Sequence, residues 1–388
     1  MSHKHNGVFA LYDISSSSVA GAHVLVHHET CPSTTLLASV RSETMIRDDI
    51  NIERFVADTN TRLQDVVNQV RAADVHHPSF IQVVLASPWY TAQTRTIIYK
   101  KEVPFTCTSK LIESLVDAEI KHVLAETEGP FGTYGEESLI VEKQLSGIKL
   151  NGYLTHTPYG KKTLTIEFSL ILTIAPKRIL ETFTDTLKRS YGVRAIRYTT
   201  NTFSTFVVMR DRLSVEHACV VIDVGEEITD VAFVKGGTVL YQHSFPMGTF
   251  GLYRALGKHD IDVINESQSI LEAYRLGKLT PTVRRKVEKS IQHYTDKWQE
   301  GFRGIIEQGS FGYCLPEQLL VSVDPRFELL FARMISEDPF IKYKCAADDI
   351  NLIYLNDSVL ASDVSTVDHV AIDSSLVVGA LFAERMHA

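Results

Sequence analysis

From Gly7 to Asp13 apolar and polar residues alternate and then run apolar, the pattern of a strand whose second half is buried. Ser15 to Ser18 supply a small-residue turn and Val19 to Val26 resume the strand, which predicts a hairpin with a polar tip. Between Asn51 and Ala73, Ile52, Phe55, Val56, Leu63, Val66, Val67 and Val70 recur at helical spacing, and Phe80 to Ala86 follow as a β-rich run. Strand, strand, helix, strand predicts a sheet covered by helices.

From Tyr90 the pattern changes. Leu111, Ile112, Leu115, Val116, Ile120, Val123 and Leu124 predict a second helix, and three strand-like runs follow at 139–144, 148–155 and 163–174. Pro176 stands at the first turn of a further helix through Leu187, which Gly192 closes. The stretch reads as a small α+β insert. The second half opens with an apolar strand at 218–223, a turn at 224–228, a strand at 229–235, the hairpin signal Gly236-Gly237 and a strand at 238–245. It repeats the opening motif about 210 positions later. A helical block comes next: Asn265 is the expected cap of a helix that Gly277 ends, and Thr280-Pro281 starts another. Val283, Val287, Ile291, Tyr294, Trp298, Phe302 and Ile305 form one apolar stripe on it, read as core rather than as a partner groove. Runs at 318–323 and 350–355 are predicted strands, and 376–386 a closing helix.

Length and composition add limits. A chain of 388 residues exceeds what one core usually supports, so two lobes are expected. Hydrophobic residues at 44% and charged ones at 22% exclude a disordered or fibrous chain. The net charge of −8 and the absence of a basic block longer than Arg284-Arg285-Lys286 argue against nucleic acid as a partner. The five cysteines are dispersed and never spaced as C-x-x-C, so neither a disulfide framework nor a zinc site is indicated. Met1 to Asn6 is polar and no run reaches the roughly 18 apolar residues of a membrane span. A cytosolic, reduced protein is expected.

The repeated turns carry the candidate chemistry. A strand that ends in an acidic residue and turns through small residues can present backbone N–H groups to a phosphate while its carboxylate holds a hydrated magnesium ion. Asp13-Ile14-Ser15-Ser16-Ser17-Ser18 has that form, as does Asp223-Val224-Gly225 with Thr229-Asp230. Alone, an Asp at a hairpin tip is also an ordinary turn former.

Asp13-Ile14 with the serine turn and Val19, then 220–233 with Gly236-Gly237 and Phe245-Pro246-Met247-Gly248, resemble the two phosphate segments of actin-like ATPases. Within that superfamily the chain is similar to the bacterial cell-division FtsA and type IV pilus PilM families. The resemblance covers nearly the whole chain, because the insert falls where those families carry an extra α+β subdomain. It implies an α/β, two-lobed actin-like (ribonuclease H-like) fold in four parts. These are a first lobe at 7–90 plus 192–216, an insert at 91–191, a second lobe at 217–250 plus 315–388, and a helical subdomain at 251–314. It implies an ATP and Mg2+ site built from Asp13, Ser15, Ser16, Ser17, Ser18, Asp223, Gly225, Thr229 and Gly248, with Asp13 and Asp223 holding the metal through water. It also implies a cytoplasmic scaffold that self-associates, forms filaments, or docks on the cytoplasmic tail of a membrane protein or on a division or pilus protein. FtsA-like chains continue into an amphipathic membrane helix, whereas this sequence stops at Ala388, so recruitment through a partner is expected.

The sequence departs from that pattern at specific positions. Ser15 stands where the family has Gly, Ala20 where it has Lys, and Glu226-Glu227 where glycines follow the second Asp. Two carboxylates at the phosphate approach would repel it by about 4 kcal/mol at ~4 Å and an effective dielectric of ~20. The adenine segment is replaced by Val321-Ser322-Val323-Asp324-Pro325-Arg326. A weak or absent ATPase is the expectation, with a nucleotide-free interaction module and a small-molecule kinase using Glu226 or Glu227 as base left as alternatives. The P-loop look-alike Tyr159 to Thr163 reads as a turn because Thr155 replaces its first glycine. His27-His28 and His76-His77 read as surface residues, and Trp89-Tyr90 as an anchor between the core and the insert.

Overall fold

The computed structural model of the chain describes residues 7–27, 33–43, 52–126, 137–212, 218–235, 238–257, 263–308, 315–316, 318–341, 350–355, 360, 362 and 364–387. Two sheets built to one plan form the body. In the first, β1 (Gly7–Ile14), β2 (Ser18–His27) and β3 (Ser33–Glu43) make an antiparallel meander, and β4 (Ile81–Leu85) and β9 (Ile196–Thr200) extend it in parallel from β1. In the second, β10 (Cys219–Val224), β11 (Thr229–Lys235) and β12 (Thr238–Phe245) make the meander, and β13 (Gln318–Val323) and β14 (Asn351–Tyr354) extend it in parallel from β10. The predicted hairpin tip Gly236-Gly237 lies outside the described residues, as does His28.

Parallel strands need covered faces, and helices supply the cover. Helix α1 (Ile52–Ala73) buries the predicted Val56, Leu63, Val66, Val67 and Val70 on the first sheet, sharing that cluster with Ile179, Leu180, Phe183 and Leu187 of α3 (Lys177–Tyr191). Pro176 is the N-cap of α3 rather than its first residue, and Gly192 closes it in the left-handed region. A buried polar chain braces the same layer: His23 bonds Asp74 at 2.6 Å and the Tyr191 hydroxyl at 2.9 Å, and that hydroxyl lies 2.5 Å from Tyr12 Oη.

The faces that the two sheets turn toward each other are filled by α4 (Asn201–Arg212) and the closing helix α9 (Ser374–His387). Leu376, Val377, Ala380 and Ala383 join Leu11, Ala22, Val221 and Ala232 there in one apolar cluster. Strand β15 (Val364–Thr366) pairs with β3, so the stretch assigned from sequence to the second lobe supplies both sheets. On the far side of the second sheet, α5 (Thr249–Leu256), α6 (Val263–Arg275), α7 (Pro281–Gln308) and α8 (Glu328–Ser336) form the helical block. The stripe on α7 is core from Val287 through Ile305, with Trp298 and Phe302 fully buried, each contributing about 2 kcal/mol or more. Asn265 lies inside α6 and not at its cap, because the helix begins at Val263.

The insert is a four-stranded antiparallel sheet in the order β5 (Thr91–Thr106), β8 (Lys162–Pro176), β6 (Ser138–Leu150), β7 (Tyr153–Leu154), backed by α2 (Ser109–Glu126). The two runs predicted at 139–144 and 148–155 are mostly one strand, β6. The dipeptide Asn151-Gly152, both residues at positive φ, then turns it into β7. Strands β3, β5, β9 and β15 and helices α4, α5 and α8 have no counterpart in the sequence reading. Thr-, Lys- and Arg-rich β5 pairs with β8 along one edge and is half-buried or exposed over most of its length, which blurs its alternation.

Candidate functional site

The two turns are one structure built twice. Asp13 pairs with Ala20 across its hairpin and with Val84 of β4, while Asp223 pairs with Asp230 and with Ser322 of β13. The Ser15 N–H donates to the Ser18 carbonyl at 2.9 Å, and the Gly225 N–H to the Ile228 carbonyl at 3.0 Å. Between the turns lies a cleft of about 490 Å³, with Asp13, Ser15, Ser17 and Ser18 on one wall and Asp223, Gly225 and Glu226 on the other.

Asp13 is 4% exposed, and burial raises its carboxyl above the usual range against the pull of Arg41. Arg41, near the end of β3, donates to Asp13 Oδ2 at 3.4 Å, to Ser18 Oγ at 2.5 Å and to Asp373 Oδ2 at 2.6 Å. Ser375 Oγ adds a bond to Asp13 Oδ2 at 2.7 Å. Asp373 also caps α9, accepting the N–H groups of Ser375 and Leu376 at 3.2 Å. Burial works to raise Asp373, but the bonds from Arg41 outweigh it and hold that carboxyl below its ordinary value. Burial likewise opposes the charge on Arg41, and Asp373 more than restores it.

Asp223 meets a different environment. Burial, and then the neighbouring Asp230, push its carboxyl up to about 7, although Asn201 Nδ2 donates to it at 2.7 Å. Asp230 is 1% exposed and accepts bonds from Ser87 at 3.0 Å, from Tyr90 Oη at 3.2 Å and from Ser244. Ser87 and Tyr90 follow β4, so Asp230 ties the second sheet to the first. Trp89 anchors the turn itself, donating Nε1 to the Ser15 carbonyl at 2.9 Å while stacking on Phe55.

The remaining predicted residues divide between cleft and core. Ser16 Oγ reaches across and donates to Glu226 Oε2 at 2.8 Å. Thr229 is fully buried in the second core, donating to the Met247 carbonyl at 2.5 Å and accepting from Trp298 Nε1 at 3.1 Å. Gly248 caps α5, where a Cβ would collide with the Glu226 carbonyl group. Glu227, read from sequence as a second carboxylate at the phosphate approach, instead forms a forked ion pair with Arg254 of α5 and leaves that approach to Glu226.

A magnesium-bound triphosphate needs free N–H groups at the turns and a carboxylate with an open edge. Here the Ser17 and Ser18 N–H groups donate to Ser15 Oγ at 3.3 and 3.0 Å. Asp13 Oδ2 is engaged by Arg41 and Ser375, and Glu226 lies between the turns. The donors as placed do not fit that group: a guanidinium stands on Asp13 where a hydrated cation would, and a carboxylate where phosphate would. Among the described residues no three His, Cys, Asp or Glu side chains are grouped to hold a metal ion.

Arg41, Asn201, Asp373 and Ser375 were not singled out from the sequence. Asp373-Ser374-Ser375 ahead of the apolar 376–383 run is a helix-start signature that could have marked the cap. Arg41 is a single cation on an alternating strand, and no local signal aims it at Asp13.

No protein-family model and no curated protein sequence matches the chain. Among solved structures it is similar to a chain described as "PilM-PilN type IV pilus biogenesis complex", at 13% identity and a TM-score of 0.60, over 97% of this chain and 98% of that one. It also matches a Bacteroides thetaiotaomicron protein described as having an actin-like ATPase fold and unknown function. That match is at 9% identity and a TM-score of 0.40, over 92% and 95% of the two chains. A third match is the ethanolamine utilization protein EutJ of Carboxydothermus hydrogenoformans, at 11% identity and 0.44, over 98% and 89%. With its duplicated meander-plus-parallel sheets, facing turns and inserted subdomain, the chain has the actin-like ATPase fold, with PilM-like similarity along its whole length.

Proposed function

We propose that this protein is a PilM-type scaffold whose interlobe cleft is bridged by its own side chains instead of by ATP and Mg2+, and which serves as an adaptor for the cytoplasmic tail of a membrane protein in a pilus- or division-type machine. The observation that carries the reading is the pair of occupants in the cleft: Arg41 on Asp13 and Glu226 on Ser16. ATPase activity is weak or absent in this reading. The partner class rests on the whole-length likeness to a chain of a PilM–PilN complex, insert included. No described helix is long and apolar enough to cross a membrane, which suits recruitment through a partner to the inner membrane face. The four-part division of the chain belongs to the same proposal, as does self-association into filaments. A kinase would need a free base, and Glu226 and Glu227 are engaged by Ser16 and Arg254.

Titration with a fluorescent ATP analogue and Mg2+, beside an Asp13→Ala control, tests the cleft. No saturable binding up to millimolar nucleotide is expected; saturable binding that Asp13→Ala abolishes would return the protein to the nucleotide-dependent class. The adaptor arm is tested with synthetic cytoplasmic tails of membrane proteins encoded beside the chain, of which one is expected to bind at micromolar concentration. If none binds, the adaptor role is wrong.

A further inference from the structure

We propose that the tip of the α6–α7 hairpin is a docking surface for an anionic lipid bilayer, a direct contact distinct from recruitment through a partner. Helix α6 ends at Arg275 in a turn closed by Gly277, at φ +67°, with the Lys278 N–H on the Ala273 carbonyl at 2.8 Å; α7 begins at Pro281. Between 275 and 289 stand six cations, Arg275, Lys278, Arg284, Arg285, Lys286 and Lys289, and one carboxylate, Glu288, in a chain whose net charge is −8. Glu288 is taken by Arg284 at 2.9 Å, and the nearby Glu272 by Arg275 at 3.0 Å. Lys278, Arg285, Lys286 and Lys289 are exposed and form no ion pair among the described residues.

Apolar side chains lie among these cations. The stripe of α7 is core from Val287 inward, at 4% exposure, but its first member Val283 is 39% exposed, and Leu276 across the turn is 52% exposed. Arg284 sits over the Tyr274 ring at 6.0 Å, which couples the two helix ends. The stripe therefore leaves the core at the tip and ends between long cationic arms. This combination meets the headgroup boundary of an acidic membrane, because the aliphatic stems lie against apolar chains while the charges reach lipid phosphates. A purely acidic partner without apolar groups, such as polyglutamate, would satisfy the charges and leave Leu276 and Val283 without apolar cover. Each Lys or Arg near an anionic surface contributes about 1 kcal/mol, so four unpaired cations suffice for reversible binding.

The test is co-sedimentation of the full chain with phosphatidylglycerol-containing and pure phosphatidylcholine vesicles at low and high salt. Binding to the anionic vesicles alone, weakened by salt, is expected. The triple variant Arg285→Gln, Lys286→Gln, Lys289→Gln should lower the partition coefficient on the order of 100-fold, and Leu276→Ser with Val283→Ser should lower it with the charges intact. Thermal melts matching wild type, expected because all five positions are at least partly exposed, establish that the variants fold. Equal binding to both vesicle types, no binding to either, or unchanged binding by the charge variant would overturn the proposal. So would binding of polyglutamate without vesicle binding, which would assign the tip to an acidic protein.

Discussion

Ser16 and Glu226 occupy the same position in the two repeated turns, 210 residues apart, and are bonded to each other across the cleft at 2.8 Å. Two copies of one hairpin that face each other bring equivalent residues together, and here a short donor meets a long acceptor. The bond spans the cleft from one turn to the other. Ser16 is 3% exposed, so its hydroxyl is in a site where an unmade bond is costly.

A double-mutant cycle of Ser16→Ala and Glu226→Ala should therefore show a coupling of about 1.5–3 kcal/mol in urea unfolding, the range of a charge-assisted bond. Single losses that simply add would mean that the two turns hold each other by other contacts.

Arg41 should be the costliest polar side chain of the cleft to remove. Its loss leaves Asp13 and Asp373 in a shared site without their cation, and Arg41→Ala should destabilise the chain by about 3 kcal/mol. Arg41→Lys should recover little, since one ammonium cannot fork between Asp373, Ser18 and Asp13 as the guanidinium does. Arg41→Ala also frees Asp13 of its guanidinium, leaving the Ser375 hydroxyl as its hydrogen-bond partner. Mg2+ is accordingly expected to raise the melting temperature of Arg41→Ala and not that of wild type, as read by calorimetry.

Much of this framework was legible in the chain. The strand that carries Asp13, its copy that carries Asp223, the α7 stripe from Val287 onward and the Gly277 and Gly192 stops each leave a local signal in period or turn residue and lie where expected, whereas Val283, read as core, is 39% exposed. What the chain hides is non-local. Nothing near Arg41 says that it reaches both Asp13 and Asp373, which are 28 and 332 residues distant in opposite directions of the chain. Glu226 and Glu227 look alike in sequence, and only the placement of Arg254 separates their roles. Strand β15 is three residues long and is defined by its pairing with β3, so no window over it could reveal the sheet it joins.

Gly248 is required by a close approach. The N–H groups of Thr249 and Phe250 bond the Gly225 and Glu226 carbonyls at 3.0 and 2.8 Å, drawing the start of α5 against the second turn. A Cβ on residue 248 would enter the Glu226 carbonyl group, and backbone cannot rotate aside as a side chain can. Gly248→Ala should cost about 3 kcal/mol, in the upper range for overpacking, and should displace Glu226 from Ser16. A crystal structure of the variant with that bond intact would contradict the reading.

Glu142 gives the fold a pH dependence. It lies on β6 of the insert and docks onto the end of β9, accepting from Thr199 Oγ1 at 2.5 Å and from the Thr200 N–H and Oγ1 at 2.8 Å each. Burial pushes its carboxyl from 4.5 up to about 7 in spite of those bonds. Between these values the folded chain keeps a proton that the unfolded chain has released, so the native state is favoured at the acid end of the window and loses stability as pH rises toward 7. Asp223, also raised to about 7, contributes in the same direction. Comparison with Glu142→Gln isolates the first group, because the amide keeps an acceptor for Thr199 Oγ1 and the Thr200 N–H and offers a donor to Thr200 Oγ1. The variant should match wild type near pH 4.5, become the more stable of the two above pH 7, and show a shallower fall between. Urea unfolding at several pH values measures this, and parallel curves for the two proteins would mean that Glu142 titrates as an ordinary carboxylate.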